Sequence, residues 1–144
     1  MRSALLASAA AAVALLASAA AAVALLAGAP AHAAPPVPPP PYIDRTQWVP
    51  SGSGLSSLHV YPTQAGRVAS TEFVSPNEAW REVLADTPDA DTPGMRAQFA
   101  CHWVLAEAAE PGKVSWNLEP WRPVVDDATM FSSGCNPGGP EEPS

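Results

Sequence analysis

Residues 5–27 form an uncharged run of leucine, alanine, valine and serine. A run of this kind is typical of an export or membrane segment, so the globular core must come from the rest of the chain. Arg2 and the amino terminus give the run a positive start, and Ala31-His32-Ala33 supplies the small-x-small pattern of a cleavage site. The sequence therefore predicts a signal peptide over residues 1–33, cleaved between Ala33 and Ala34, and export by the general secretory route.

The length of this run has a simple explanation, because residues 5–14 recur identically at 15–24. Without one copy, the run would have the usual apolar length of about 7–15 residues. The alternative is an uncleaved membrane anchor, since 23 helical residues span about 35 Å. Alanine is weakly apolar and no cationic stop follows, so we expect membrane contact only if the signal segment stays uncleaved.

The 111 residues after position 33 carry six basic and all fourteen acidic side chains, a net charge of −8. This charge argues against nucleic acid as a partner, because such proteins need cationic groups to neutralise phosphates. Residues 34–41 form a proline-rich linker, expected as extended polyproline II, and residues 141–144 form an acidic tail. One domain with five tryptophans for its core is expected over residues 42–140.

Three segments have the composition of β-strands: Tyr42–Val49, Leu55–Tyr61 and Lys113–Trp121. In the last, Val114, Trp116 and Leu118 alternate with polar residues, as in a strand with one buried face. Nearby prolines restrict this strand to an edge or an end of the sheet.

Two segments have the pattern of amphipathic helices. A capping box at Ser75-Pro76-Asn77-Glu78, with proline at the first helical position, starts a helix that ends near Asp86. Thr92-Pro93 starts a second helix, which Pro111-Gly112 closes. Its apolar stripe consists of Met95, Phe99, His102, Trp103 and Ala106. The sequence thus predicts a small α+β domain, a short antiparallel sheet packed with two helices.

Cys101 and Cys135 are the two cysteines of the chain. In an exported protein a lone pair is most simply one disulfide, which here would join the second helix to the C-terminal turn. A reactive thiol or a metal ligand is the alternative. The adjacent Cys101 and His102 do not suggest a thiol–imidazole pair, because neighbouring helical residues point about 100° apart.

The segment from Trp116 to Pro123 is the richest in aromatic and charged residues. Its structural interpretation is a core strand with Trp116 buried, Arg122 stacked on an indole and Glu119 paired with an arginine. Its functional interpretation is a patch that binds a sugar, a peptide or a protein. The candidate patch comprises His102, Asn117, Glu119, Trp121 and Arg122.

Catalytic and metal motifs do not stand out from the background of this sequence. His59 and His102 lack the spacing of known zinc sites, and we predict no metal, no cofactor and no assigned catalytic residue. Glu119 with Asp126 or Asp127 could form a glycosidase pair, but in a chain with fourteen acids solvated charge is the better interpretation.

A family resemblance rests on several residue groups. These are Thr92-Pro93-Gly94-Met95, Gln98-Phe99, Cys101-His102-Trp103, Lys113, Trp116-Asn117-Leu118-Glu119-Pro120-Trp121-Arg122-Pro123 and Cys135-Asn136-Pro137. Over about residues 48–140 the chain resembles the DUF2599 family of small exported actinobacterial proteins, a domain of unknown function. The resemblance implies export and a Cys101–Cys135 pair, and it implies no activity.

Three functional hypotheses follow. The first is a non-enzymatic binding module, secreted or in the cell envelope, with an unknown protein or envelope component as its ligand. The second is a small secreted hydrolase that uses His102 with Glu119 and Asn117. The third is a structural component of the envelope.

Overall fold

The computed structural model of the chain describes residues 36–50 and 54–140. The predicted signal peptide with its Ala33–Ala34 cleavage site and the acidic tail at 141–144 lie outside the described residues. Residues 36–41 of the predicted linker form neither helix nor strand.

In the part of the chain that the structure describes, three antiparallel strands form one sheet in the order β1-β2-β3. They are β1 (Ile43–Pro50), β2 (Ser56–Pro62) and β3 (Trp116–Leu118). In the central strand, Leu58 lies opposite Trp48 on one side and Leu118 on the other. The predicted short antiparallel sheet is confirmed, and β3 is an edge strand, as its flanking prolines indicate.

The third strand is much shorter than predicted, and the reason lies in the backbone of Glu119. Its amide donates to Oε1 of Gln98 at 2.9 Å, and its carbonyl accepts from Nε2 of Gln98 at 2.9 Å. Pro120 then has no amide to donate. A glutamine side chain therefore takes the place of the neighbouring strand at this position.

Within the described residues, four α-helices accompany the sheet: α1 (Gln64–Thr71), α2 (Asn77–Asp86), α3 (Pro93–Ala109) and α4 (Asp127–Ser132). A 3-10 turn, Pro88–Ala90, joins α2 to α3. The α+β class is confirmed. Helices α2 and α3 correspond to the two predicted helices, whereas α1 and α4 are additional.

The two predicted helix starts differ in outcome. At α3, Oγ1 of Thr92 accepts from the amide of Met95 at 3.3 Å, and proline occupies the first position as predicted. At α2, the capping box is wrong, because Pro76 lies before the helix and no side chain caps it. Glu78, the expected second partner of the box, instead pairs with Arg81 at 2.5 Å.

The core lies between the apolar face of the sheet and α3. Trp116 of β3 packs against Phe99 and Trp103, with ring centroids 6.2 and 5.9 Å apart. Every residue of the predicted helical stripe is buried, as are Leu58 and Val60 from β2. Burial of these large side chains is the main favourable term in the stability of a domain of this size.

The start of β1 is held by α1 and α2. A carboxylate oxygen of Glu82 accepts from the amides of Tyr42 and Ile43, both at 2.7 Å. On the other side, Gly66 of α1 lies so close to the carbonyl of Tyr42 that a Cβ atom there would stand 2.2 Å from its oxygen. Glycine at this position allows the helix to pack directly on the strand backbone.

Candidate functional site

A buried ion pair lies on the sheet face opposite the aromatic core. Oε2 of Glu119 accepts from Nε of Arg122 at 2.5 Å, and both side chains are 0% exposed. Oε1 of the same carboxylate accepts from the hydroxyl of Ser57 at 2.9 Å. Both carboxylate oxygens are thus satisfied, as a buried charge requires.

The guanidinium of Arg122 also holds the C-terminal segment. Nη1 donates to the carbonyls of Pro137 and Gly139 at 3.3 and 3.0 Å, and Nη2 donates to that of Pro140 at 3.0 Å. The ring of Trp121 lies 4.7 Å from the guanidinium carbon. We call this arrangement the arginine clamp: Arg122, Glu119 and the carbonyls of Pro137, Gly139 and Pro140.

The same sheet face continues with polar side chains that are also buried. Asn117 lies opposite His59 in the register of β2 and β3. The hydroxyl of Ser115 donates to Oδ1 of Asn117 at 2.7 Å and lies 3.4 Å from Nδ1 of His59. We call this group the polar face: Ser57, His59, Ser115, Asn117 and Glu119.

The serine–histidine contact on the polar face superficially resembles a nucleophile and its base. Ser115 is 1% exposed, however, and its hydroxyl donates to Asn117 rather than to the imidazole of His59. The arrangement gives no substrate access to the hydroxyl, so it acts here as a packed polar contact.

Cys101 and Cys135 form a disulfide, with 5.5 Å between their Cα atoms. The bond joins α3 to the turn that ends α4. Two residues of that turn, Gly134 and Cys135, have positive φ angles of 59° and 68°. The amide of Cys135 returns to the carbonyl of Met130 at 3.0 Å, which closes the helix in a Schellman arrangement.

A pocket of about 140 Å³ opens between α3 and this turn. Its apolar floor comes from one face of α3, and the disulfide cysteine Cys135 forms part of its wall. Lys113 pairs with Glu110 at 3.3 Å, and Nδ1 of His102 lies 2.9 Å from the carbonyl of Gln98. We call this the α3 pocket: His102, Leu105, Ala106, Ala109, Glu110, Lys113, Gly134 and Cys135.

Two further properties concern only residues 36–50 and 54–140. Within these ranges, histidine, cysteine, aspartate and glutamate side chains do not gather in groups of three or more that could hold a metal ion. None of the helices there combines the length and the apolar composition that a bilayer span requires.

Comparison with protein families gives one decisive match. The family model described as "Protein of unknown function (DUF2599)" matches residues 43–138, which include the Glu119–Arg122 ion pair and most of the polar and apolar core. The chain belongs to the DUF2599 family. No solved structure matches it.

Its relatives are mycobacterial proteins described as uncharacterized. One from Mycobacterium tuberculosis and one from Mycobacterium bovis are each 61% identical over 105 residues, 72% of this chain and 70% of theirs. One from Mycobacterium leprae is 47% identical over 100 residues, 68% of this chain and 80% of its own. These relatives agree with the actinobacterial family expected from the sequence.

The structure distributes the candidate patch over two parts of the DUF2599 domain. Glu119, Arg122 and Trp121 meet in the arginine clamp, and Asn117 lies on the adjoining polar face, whereas His102 lines the α3 pocket. Four of the five are buried, and Trp121 is partly buried. Trp116 is buried as well, so the geometry agrees with the structural interpretation of this segment.

Sequence reasoning missed several residues of these sites. Ser57 and His59 alternate with Leu58 and Val60, a visible pattern, but alternation alone suggests an outward polar side. Gln98 carries no local signal for its role, because its partner is 21 residues away. Lys113 is the one lysine of the chain, but nothing near it in the sequence indicates that it lines a pocket.

Proposed function

We propose that this DUF2599 protein is exported and acts outside the cytoplasm as a non-enzymatic binding module, with the α3 pocket as its binding site. Its support for export is the signal-like N-terminal sequence together with the Cys101–Cys135 disulfide, since disulfides persist in oxidising compartments. The disulfide also fixes the pocket wall to α3, which preforms the site.

The composition of the α3 pocket carries the proposal. Small-molecule sites are typically apolar with a few convergent polar groups, and here Leu105, Ala106 and Ala109 lie beside His102 and Lys113. A cavity of about 150 Å³ is large enough for benzene. The pocket therefore suits a small apolar ligand, with the imidazole of His102 and the Lys113–Glu110 ion pair at its polar edge.

The hydrogen bonds and the burial of Glu119 favour a binding function over the hydrolase alternative. A general base needs a lone pair within reach of the substrate. Both carboxylate oxygens of Glu119 already accept protein hydrogen bonds, and the side chain is withdrawn from solvent. The polar groups that would serve hydrolysis are engaged in holding the fold.

Export is tested by expressing the full chain in an actinobacterial host and by analysing the culture fluid and the cell envelope. We expect a product whose amino terminus is Ala34 and whose cysteines resist alkylation until reduction. An intact chain that stays in the cytoplasm with free thiols would contradict this part of the proposal.

Binding is tested with benzoate as the probe, followed by NMR chemical shifts of the purified exported form. Benzoate and neutral benzyl alcohol should both shift the signals of His102, Leu105 and Ala109, because the apolar floor of the pocket binds the ring of each. Ala109→Phe fills the pocket and should abolish the shifts. Ala85→Phe, the same change on the exposed face of α2, is the matched control. Equal shifts in both variants would remove the α3 pocket from consideration.

A further inference from the structure

We propose that this protein forms a reversible two-fold dimer, in which Phe73 of each copy inserts into a cavity between α1 and α3 of the other copy. The surface involved shares no residue with the α3 pocket, so the inference does not depend on the proposed function. Three observations carry it: an exposed aromatic ring on a fixed backbone, a cavity of matching size beside the ring, and the neutral charge of that cavity.

The backbone around Phe73 is held in place at the C-terminal end of α1. The amide of Phe73 donates to the carbonyl of Ser70 at 3.3 Å. The amide of Val74 donates to the carbonyl of Ala69 at 3.1 Å, and together these two bonds form a Schellman motif. Nε1 of the core residue Trp103 donates to the carbonyl of Val74 at 2.7 Å. The ring of Phe73 is therefore presented from a fixed point on the surface.

Phe73 occupies a position that favours glycine. Its φ angle is 55°, and a Cβ atom is disfavoured in this left-handed conformation. The side chain is also 82% exposed, so a single molecule has little packing to offset the cost of the conformation. Burial of the ring against a second molecule supplies that packing, and backbone outliers of this kind cluster at functional sites.

A cavity of about 150 Å³ lies between α1 and α3, beside the ring of Phe73. A phenyl ring fits this volume, since a cavity of about 150 Å³ accommodates benzene. The wall on the side of α3 is apolar, because Val104 and Ala108 form it and both are exposed to solvent. We call this the α1–α3 cavity: Ser70, Thr71, Phe73, Val104, Glu107 and Ala108.

The charge of Glu107, the charged side chain in the wall of the α1–α3 cavity, is already neutralised. Oε1 of Glu107 accepts from Nη1 of Arg67, and both side chains of this ion pair are mostly buried. Oε2 of Glu107 accepts from the amide of Gly112 at 3.0 Å. Because both carboxylate oxygens are engaged, an apolar ring matches the cavity better than an ionic ligand does.

A second copy of this chain supplies such a ring. Phe73 lines the α1–α3 cavity and is itself exposed, so a two-fold axis close to Phe73 brings each ring into the cavity of the other copy. The two rings then also meet at the axis, and the contact closes with two molecules. Each ring buries about 150–250 Å², which places the interface in the weak class, below about 1,200 Å² in total. We therefore expect a dissociation constant on the order of 10–100 μM.

Sedimentation equilibrium of the purified exported form measures this dimer. Phe73→Ala removes the inserted ring and should weaken dimerisation at least about tenfold. Phe131→Ala makes the same change at an exposed position of α4, outside the α1–α3 cavity, and should match the wild type. A wild type that stays monomeric up to about 1 mM would overturn the proposal, as would equal dimerisation of the two variants.

A variant of the cavity separates insertion of the ring from general surface hydrophobicity. Ala108→Trp fills the α1–α3 cavity and at the same time adds apolar surface to the molecule. Insertion of Phe73 predicts that this variant dimerises at least about tenfold more weakly than the wild type. A variant that associates as strongly as the wild type, or more strongly, would contradict the proposal.

NMR of an equimolar mixture of isotope-labelled and unlabelled protein identifies the occupant of the cavity. Isotope-filtered NOEs should connect the ring protons of Phe73 in one copy with the methyl groups of Val104 and Ala108 in the other. A dimer without these NOEs would rule out the proposed geometry. A monomeric protein in which toluene shifts the signals of Val104 and Ala108 would assign the cavity to a small ligand and make the proposal wrong.

Discussion

Glu119 and Arg122 form an ion pair 2.5 Å apart, three residues from each other in sequence, and neither side chain reaches solvent. The pair connects three separate parts of the chain, because Ser57 of β2 binds the carboxylate and the carbonyl of Pro140 binds the guanidinium. Removal of one partner from such a pair leaves an uncompensated buried charge, which is far more costly than removal of both.

Arg122→Met is therefore expected to lower the free energy of unfolding by about 3–5 kcal/mol, measured by urea denaturation at low temperature. The double variant Glu119→Gln, Arg122→Met removes both charges and keeps an acceptor for Ser57. It should recover at least about 1 kcal/mol of that loss. If the double variant were no more stable than the single one, the buried charge would not be the cause of the loss.

The disulfide closes a segment of 34 residues between Cys101 and Cys135. Reduction frees the unfolded chain from this closed loop and so raises its entropy, which should lower the free energy of unfolding by about 4 kcal/mol. Urea midpoints with and without dithiothreitol measure the difference. The variant Cys101→Ala, Cys135→Ala should show no response to the reductant, and a wild type equally insensitive would contradict the expectation.

Gly66 packs against the backbone of β1, and a methyl group there would stand 2.2 Å from the carbonyl oxygen of Tyr42. Gly66→Ala should destabilise the domain by about 1–3 kcal/mol, despite the better helix propensity of alanine, because α1 must move away from the strand. Gly139→Ala is the comparison, since open space surrounds that position. The melting temperature of Gly66→Ala should lie clearly below that of Gly139→Ala. Equal melting temperatures would show that α1 moves away from the strand without loss of stability.

Phe73 has a φ angle of 55° and is 82% exposed, in the left-handed position that follows α1. A side chain is disfavoured in this conformation and little packing compensates for it. Phe73→Gly should raise the free energy of unfolding by up to about 1 kcal/mol. Calorimetry measures the gain in stability. Phe73→Ala keeps a Cβ atom and should bring no comparable gain. A gain from both variants would show that exposure of the ring, rather than backbone strain, is the cause.

Asp126 caps α4, where Oδ1 accepts from the amide of Thr129 at 2.7 Å. This backbone hydrogen bond, with a second from the Thr129 side chain, lowers the pKa of Asp126 below its usual value. A lowered folded-state pKa adds stability above the usual value, and this stability is lost as the pH falls below about 4. Amide exchange in α4 should accelerate over that range. Asp126→Asn caps without titrating and should remove this pH dependence.

How far the sequence predicts this fold depends on where each signal lies. The apolar stripe on α3 and the cap at Thr92 involve residues close in sequence, so this helix can be predicted from the sequence. The N-terminal cap of helix α1 is also formed by a neighbour in sequence, since Oγ1 of Thr63 accepts from the amide of Gly66 at 3.0 Å. Its glycine, however, has the pattern of a turn, and only the contact with Tyr42 explains why a helix contains it. Helix α4 has just six residues, too few for a periodic pattern.

The polar face shows the same limit for the candidate site. Alternation along β2 and β3 correctly assigns Leu58 and Trp116 to one face, since strand geometry fixes that parity. It cannot assign burial to the other face, because that depends on a network that joins Ser57, Glu119 and Arg122 across 62 and 3 residues of sequence.

By itself the sequence determined the α+β class, the apolar stripe of α3 and the pairing of its two cysteines, because periodicity and residue chemistry act over short distances or leave one partner available. Only the tertiary structure decided that Glu119 and Arg122 lie inside and that His102 lines a pocket. The cost of a buried charge or polar group depends on which partners the fold brings to it, and those partners come from distant parts of the chain.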